Sequence, residues 1–146
     1  MKKVVLGADH GGYELKNRIA AYLKQKGYDI TNVGVDSPDS VDYPDMAEKA
    51  CREFKKGGYE FGVVCCGTGI GISISANKVD GIRCALPQNI FAAAMSKEHN
   101  NANFLAFGGR IAYSEAVEDM IDAYIGASFG GGRHERRVNK IMALEQ

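Results

Sequence analysis

Phe61-Gly62-Val63-Val64-Cys65-Cys66-Gly67-Thr68-Gly69-Ile70-Gly71-Ile72-Ser73 is an apolar run that ends in two cysteines and passes directly into glycines at every second position. A short continuous apolar run bounded by glycine reads as a buried strand of a parallel sheet. The small residues that follow read as a tight turn into a helix N-terminus, where backbone N–H groups lack partners. Cys66 then stands at the mouth of a nest of free N–H groups. Neighbouring strand residues face opposite sides of a sheet, so Cys65 and Cys66 cannot share a role.

Working outward, the same rhythm recurs. Upstream, residues 3–8 form an apolar run that stops at Asp9-His10-Gly11-Gly12. Leu15, Ile19, Tyr22 and Leu23 then recur at helical spacing, and Gly27 ends that helix. Residues 28–33 predict a second strand, and Pro44 falls near the first turn of a second helix. Downstream, the spacing predicts a short helix over 70–77, a strand over 82–86, an alanine-rich helix over 88–97 and a strand over 103–107. Ser114 is the expected N-cap of the next helix, and a last helix follows Gly130-Gly131-Gly132. Strands alternating with helices call for a five-stranded parallel sheet with helices on both faces, an α/β doubly wound sandwich. The expected strand order is 2-1-3-4-5, in one domain spanning residues 1–146. Its switch point, between the first and third strands, brings Asp9 and His10 beside Cys66 and Gly67. Gly108-Gly109-Arg110 ends the fifth strand at the same edge.

Composition narrows the partners. The chain has 146 residues, 45% hydrophobic and 25% charged, with 18 Lys+Arg against 18 Asp+Glu. That balance creates no general field for nucleic acid or a membrane surface. No stretch approaches the ~20 apolar residues of a membrane span, and the N-terminal apolar run is too short for an export signal. Four cysteines without a C-x-x-C pair then suggest reduced thiols in a cytoplasm.

Spacing excludes several chemistries at the glycine turn. G-x-G-x-G departs from the dinucleotide fingerprint G-x-G-x-x-G, and no Gly-Lys-Ser/Thr follows for a Walker loop. A cysteine-phosphatase cradle would want an arginine where Ile72 stands. What is left is a generic anion cradle beside a thiol. Cys51, Cys65 and Cys84 read as small buried hydrophobes. His10 and His99 stand at element boundaries and suit acid/base work near neutral pH. No His/Cys/Asp spacing resembles a metal set, and no cofactor is expected. Arg133 and Arg137 share a helix face, and with Arg110 they offer guanidinium forks for a phosphate. These residues suggest a thiol that moves a proton on a small phosphorylated substrate. The competing readings are a flavodoxin-like, non-catalytic phosphate binder and a redox switch at Cys65/Cys66.

Together these stretches resemble the type B ribose-5-phosphate isomerases, a family that also holds galactose-6-phosphate isomerase subunits. The likeness rests on Gly7 to Gly12, Asp42-Tyr43-Pro44, Cys66 to Ser73, Ala76-Asn77-Lys78, Gly81-Ile82-Arg83, Glu98 to Asn103, Gly108-Gly109-Arg110 and Gly132-Arg133-His134. The resemblance implies a Rossmann-like, metal-independent aldose-ketose isomerase of the non-oxidative pentose phosphate branch. It implies a homodimer or dimer of dimers with shared active sites. It places the base at Cys66 and the ring-opening acid/base at His99, and Thr68 helps to stabilise an enediolate. Asp9, His10, Tyr43, Gly67, Gly69, Ile70, Gly71 and Asn100 match substrate-contacting positions. Arg110, Arg133 and Arg137 match phosphate-binding ones, some of them reaching in from a partner's C-terminal helix. One branch of the family lacks the cysteine and uses a glutamate where this chain has Ile72, so this chain resembles the cysteine branch. Allose 6-phosphate and galactose 6-phosphate are the alternative substrates.

Overall fold

The computed structural model describes residues 1–145. Five strands, β1 (Lys3–Ala8), β2 (Asp29–Asn32), β3 (Tyr59–Cys66), β4 (Cys84–Ala85) and β5 (Phe104–Gly108), form one sheet. Six helices accompany them: α1 (Tyr13–Gln25), α2 (Tyr43–Lys55), α3 (Ile70–Asn77), α4 (Ile90–Glu98), α5 (Val117–Gly126) and α6 (Arg133–Met142). All pairings are parallel. The expected fold class therefore holds.

The expected strand order does not. The sheet runs β2-β1-β3-β5-β4, with the last two strands exchanged. β5 is buried along its whole length, whereas β4 has two half-buried residues. A fully apolar strand gains most from neighbours on both sides, and a two-residue strand can satisfy only an edge. Helix placement follows from this order. Steps toward the β2 edge use α1 and α4, and steps toward the β4 edge use α2 and α3. The first pair lines the core face with Leu6, Cys65, Leu105 and Phe107. The second pair borders the other face, with Val5, Val64, Cys66 and Ala106. One face for each direction of travel is what a single crossover hand requires.

Burial is thorough at the centre. Val4, Val5, Leu6, Ile19, Leu23, Phe104, Leu105, Phe107, Met120 and Ile121 are fully enclosed. Each large apolar side chain so buried stabilises the fold by about 1.5–3 kcal/mol relative to exposure. Local signals behave as read at α2, where Pro44 occupies the first turn. They fail at α5: Ala116, not Ser114, is the N-cap. The nearby Glu115 carboxylate instead accepts from the Ile90 N–H and serves the start of α4. α6 is strongly amphipathic, yet only Val138 of it is buried, and Ile141 stays exposed. Among the described residues, no helix is long and apolar enough to cross a membrane.

Candidate active site

The site grows from the register of three strand ends. Ala8 pairs with Cys65, and Cys66 pairs with Gly108. The turns that follow β1, β3 and β5 therefore meet at the carboxyl edge of the sheet. The Asp9 N–H donates to the Cys65 carbonyl at 3.1 Å. The Gly109 N–H donates to the Cys66 carbonyl at 2.8 Å, and the Arg110 N–H to the Gly67 carbonyl at 2.9 Å. Gly12 lets the first turn approach this closely: a Cβ there would lie 2.4 Å from the Cys65 carbonyl.

Alternation separates the two cysteines as expected. Cys65 belongs to the core under α1, α4 and α5, and burial pushes its thiol well above the usual range. Burial likewise raises Cys51, to about 12. Cys66 faces the α2–α3 side at the end of its strand, 4% exposed. The Gly69 N–H donates to its sulfur at 3.2 Å. That donor is aimed by Gly69 itself, which sits at φ +80° as the N-cap of α3. A side chain there would be strained and would meet Leu86 at 2.7 Å and the Phe107 backbone at 2.9 Å. The Thr68 hydroxyl accepts from the Ile70 N–H at 3.1 Å. Gly69 and Ile70 are thus engaged inside the loop, and the amides of Thr68, Gly71 and Ile72 have no protein acceptor among the described residues. The cradle is narrower than the sequence suggests. Ile72, the isoleucine after Gly71, is fully buried.

The walls come from the other turns. Asp9, 6% exposed, accepts from the Gly11 N–H at 2.9 Å, which rigidifies the turn. The His10 Nδ1 accepts from the Val41 N–H at 3.3 Å, so its neutral ring carries the proton on Nε2. The Tyr43 ring, at the start of α2, packs on Gly71. The Arg110 guanidinium lies against Gly11 and Gly67.

The remaining predicted residues gather elsewhere. His99 is the C-cap of α4 and Asn100 follows it. α4 runs back along the sheet, so both stand at the amino edge, opposite the cradle. The nine residues of α4 span about 13 Å. The Gly130 N–H donates to the Glu98 carbonyl at 2.9 Å, docking the start of α6 against the end of α4. There the His99 and His134 rings stack, with centroids 4.2 Å apart and planes 12° apart. Desolvation, then the nearby His99, Arg133 and Arg137, hold the His134 imidazole below its usual value. Arg133 and Arg137 start the same helix, both exposed. Among the described residues, neither they nor Arg110 forms an ion pair. A cavity of about 590 Å³ lies beside Asn100, walled by Ile82, Arg83 and Met142. The predicted site residues therefore fall into two groups in one chain: Asp9, His10, Tyr43, Cys66 to Gly71 and Arg110 at one edge, and His99, Asn100, Arg133 and Arg137 at the other.

Comparison with known proteins places the chain in a family. The description "Ribose/Galactose Isomerase" belongs to the family model that matches residues 4–141. The chain belongs to the ribose/galactose isomerase family. It is 41% identical over 146 residues to ribose-5-phosphate isomerase B of Escherichia coli (strain K12), covering 100% of this chain and 98% of that one. It is 38% identical over 146 residues to a D-erythrulose-4-phosphate isomerase of Pectobacterium atrosepticum, covering 99% and 96%. The solved structure of Clostridium thermocellum ribose-5-phosphate isomerase B superimposes with a TM-score of 0.93 at 48% identity, over 97% of this chain and 96% of that one.

Three residues to which the sequence patterns give no role make defining contacts around these groups. His134 stands in the sequence only as part of Gly132-Arg133-His134, and its stacking on His99 depends on how α6 docks. Arg83, within the Gly81-Ile82-Arg83 stretch, has no assigned role in the sequence, yet its guanidinium donates to the carbonyls of Asn100 and Asn101 and shapes that turn. Lys16 could have been found. It sits three, four and seven residues before Ile19, Ala20 and Leu23, a charge on an apolar stripe. Among the described residues, no three His, Cys, Asp or Glu side chains gather as a metal set.

Proposed function

We propose that this chain interconverts ribose 5-phosphate and ribulose 5-phosphate, with Cys66 as the base. The observation that carries the reading is the Cys66 sulfur, held by the Gly69 N–H at 3.2 Å beside uncommitted amides. His99 first assists opening of the furanose ring by moving a proton between the ring oxygen and the anomeric hydroxyl. The Cys66 thiolate then takes the C2 proton, and the electron pair forms a C1–C2 enediolate. The Thr68 hydroxyl and the free amides of Thr68 and Gly71 face the oxygen where charge develops. One such donor is typically worth about 3 kcal/mol of barrier. The proton of the O2 hydroxyl passes to O1 as the enediolate rearranges, and Cys66 returns its own proton to C1, giving the ketose. Arg110, Arg133 and Arg137 hold the phosphate dianion and orient the distant carbons.

Two copies are needed for this chemistry. A base and an acid/base separated by the depth of the sheet cannot serve one sugar, because proton transfer requires contact near 3 Å. A two-fold dimer that sets the cradle of one chain against the His99 edge of the other completes two equivalent sites. The exposed Ile70, Ile74, Leu86 and Ile111 around the cradle offer apolar area for such an interface.

The test is formation of ribulose 5-phosphate by the purified protein and by Cys66→Ala. Activity is expected in the wild type and a loss of at least about a hundredfold in the variant. A wild type inert on every sugar phosphate would overturn the reading, and an active Cys66→Ala would remove the thiol as base. The relative named for D-erythrulose 4-phosphate supports a second reading, in which a four-carbon sugar phosphate is the preferred substrate. Comparison of kcat/KM on tetrose, pentose and hexose phosphates separates them.

A further inference from the structure

Lys16 is 1% exposed, among the most deeply buried large side chains of the protein. An ammonium is costly to bury and is poorly placed in the first turn of a helix, where the dipole disfavours positive charge. Its partners explain its survival. Nζ donates to the Asn32 Oδ1 at 2.9 Å and to the Asp36 Oδ1 at 2.5 Å. The Asn32 amide also donates to both Asp36 oxygens, and the Gly34 N–H donates to the Asn32 Oδ1 at 2.9 Å. The three side chains close a compact polar knot between α1 and the segment that leaves β2.

That segment borders the cradle along its length. The Ala8 N–H donates to the Gly34 carbonyl at 2.8 Å, and the Val35 N–H to the Ala8 carbonyl at 2.9 Å, immediately before Asp9. Farther along, the Val41 N–H holds the His10 Nδ1. The segment ends at Tyr43, whose ring lies on Gly71. Lys16 itself is one helical turn past Gly12, and its N–H donates to the Gly12 carbonyl at 2.9 Å. It is therefore rigidly coupled to the Asp9–Gly12 turn on one side and to the segment on the other. Among the described residues, no other ion pair ties residues 33–42 to the rest of the chain.

We infer that Lys16 is a positioning residue: its buried ammonium straps residues 32–43 against the cradle and so sets the placement of His10 and Tyr43 for substrate. The substrate part of this inference rests on the isomerase reading; the strap itself does not. The lysine touches no reacting atom. It acts through the tautomer and orientation of His10 and through the ring that walls Gly71.

Lys16→Met, Lys16→Arg and Asp36→Asn test it, with hydrogen exchange of the free protein and steady-state kinetics on ribose 5-phosphate. The Asp36 side chain is 59% exposed, so Asp36→Asn keeps the test alive if Lys16→Met fails to fold. The amides of Gly34, Val35 and Val41 are expected to exchange faster in Lys16→Met and Asp36→Asn. KM is expected to rise about tenfold with kcat changed less than about threefold, and Lys16→Arg to recover part of the KM loss. Unchanged exchange over 33–42 in a folded variant overturns the strap. A fall in kcat at constant KM also overturns it, because that pattern reports only fewer folded molecules. A wild type without turnover on any sugar phosphate removes the isomerase reading alone, and the exchange arm still decides the strap.

Discussion

Two inactive variants of this protein should rescue each other. In Cys66→Ala the cradle half-site is dead and the His99 half-site is intact; in His99→Ala the reverse holds. The distance that forces this outcome comes from the fold. His99 caps the far end of α4, whose nine residues span about 13 Å, and β5, parallel to β3, spans about 16 Å over five residues. An imidazole must come within about 3 Å of the proton it moves. No rotamer of His99 closes that gap within one chain. In a two-fold dimer with shared sites, a mixed dimer has one site with both variants and one site with neither. Random pairing of equal amounts makes half of all dimers mixed, so activity per site should return to about a quarter of the wild-type value in the unsorted mixture and to about half in the isolated mixed dimers. The assay is ribulose 5-phosphate formation after co-expression with two different affinity tags and isolation of the doubly tagged dimers. Carrying both substitutions on one chain gives the matching control: mixed with wild type, it should supply no working site and should poison its partners. Two parents that are each inactive, and a doubly tagged dimer that is inactive too, would refute the shared-site reasoning.

Two further outcomes follow from the geometry. Gly69→Ala places a Cβ 2.7 Å from Leu86 and 2.9 Å from the Phe107 backbone, at φ +80°. It should destabilise the fold by about 1–3 kcal/mol in urea titration, and lower kcat more than KM, because the amide aimed at Cys66 turns away. A variant with full kcat would show that this amide is idle. The His134 imidazole is held below its usual value of 6.5. The unfolded chain therefore takes up a proton on that ring at higher pH than the folded one, and stability should fall as pH drops through 6.5. Unfolding curves on either side of that pH should show the loss, and His134→Asn should reduce it; an identical slope in that variant would assign the effect to another group.

Local patterning was enough for the layers and for one of the two groups of candidate residues. Period-two and period-3.6 patterns report which face of a strand or helix is apolar, and these are local properties. They were enough for a parallel α/β sandwich, for Cys66 rather than Cys65 as the thiol at the turn, and for Asp9, His10 and Arg110 beside it, since each follows directly on a strand end. The exchange of β4 and β5 was not legible, because order depends on which strand can fill two neighbours' grooves, and Cys84–Ala85 is too short to sit inside the sheet. Nor was the parting of Cys66 from His99, Asn100, Arg133 and Arg137. They stand in one list along the chain, yet α4 carries His99 to the opposite edge, and Gly130 fastens α6 there. The tertiary structure alone sets these two groups a sheet's depth apart within one chain and binds the Lys16 ammonium to Asn32 and Asp36, because both depend on contacts between segments distant in sequence.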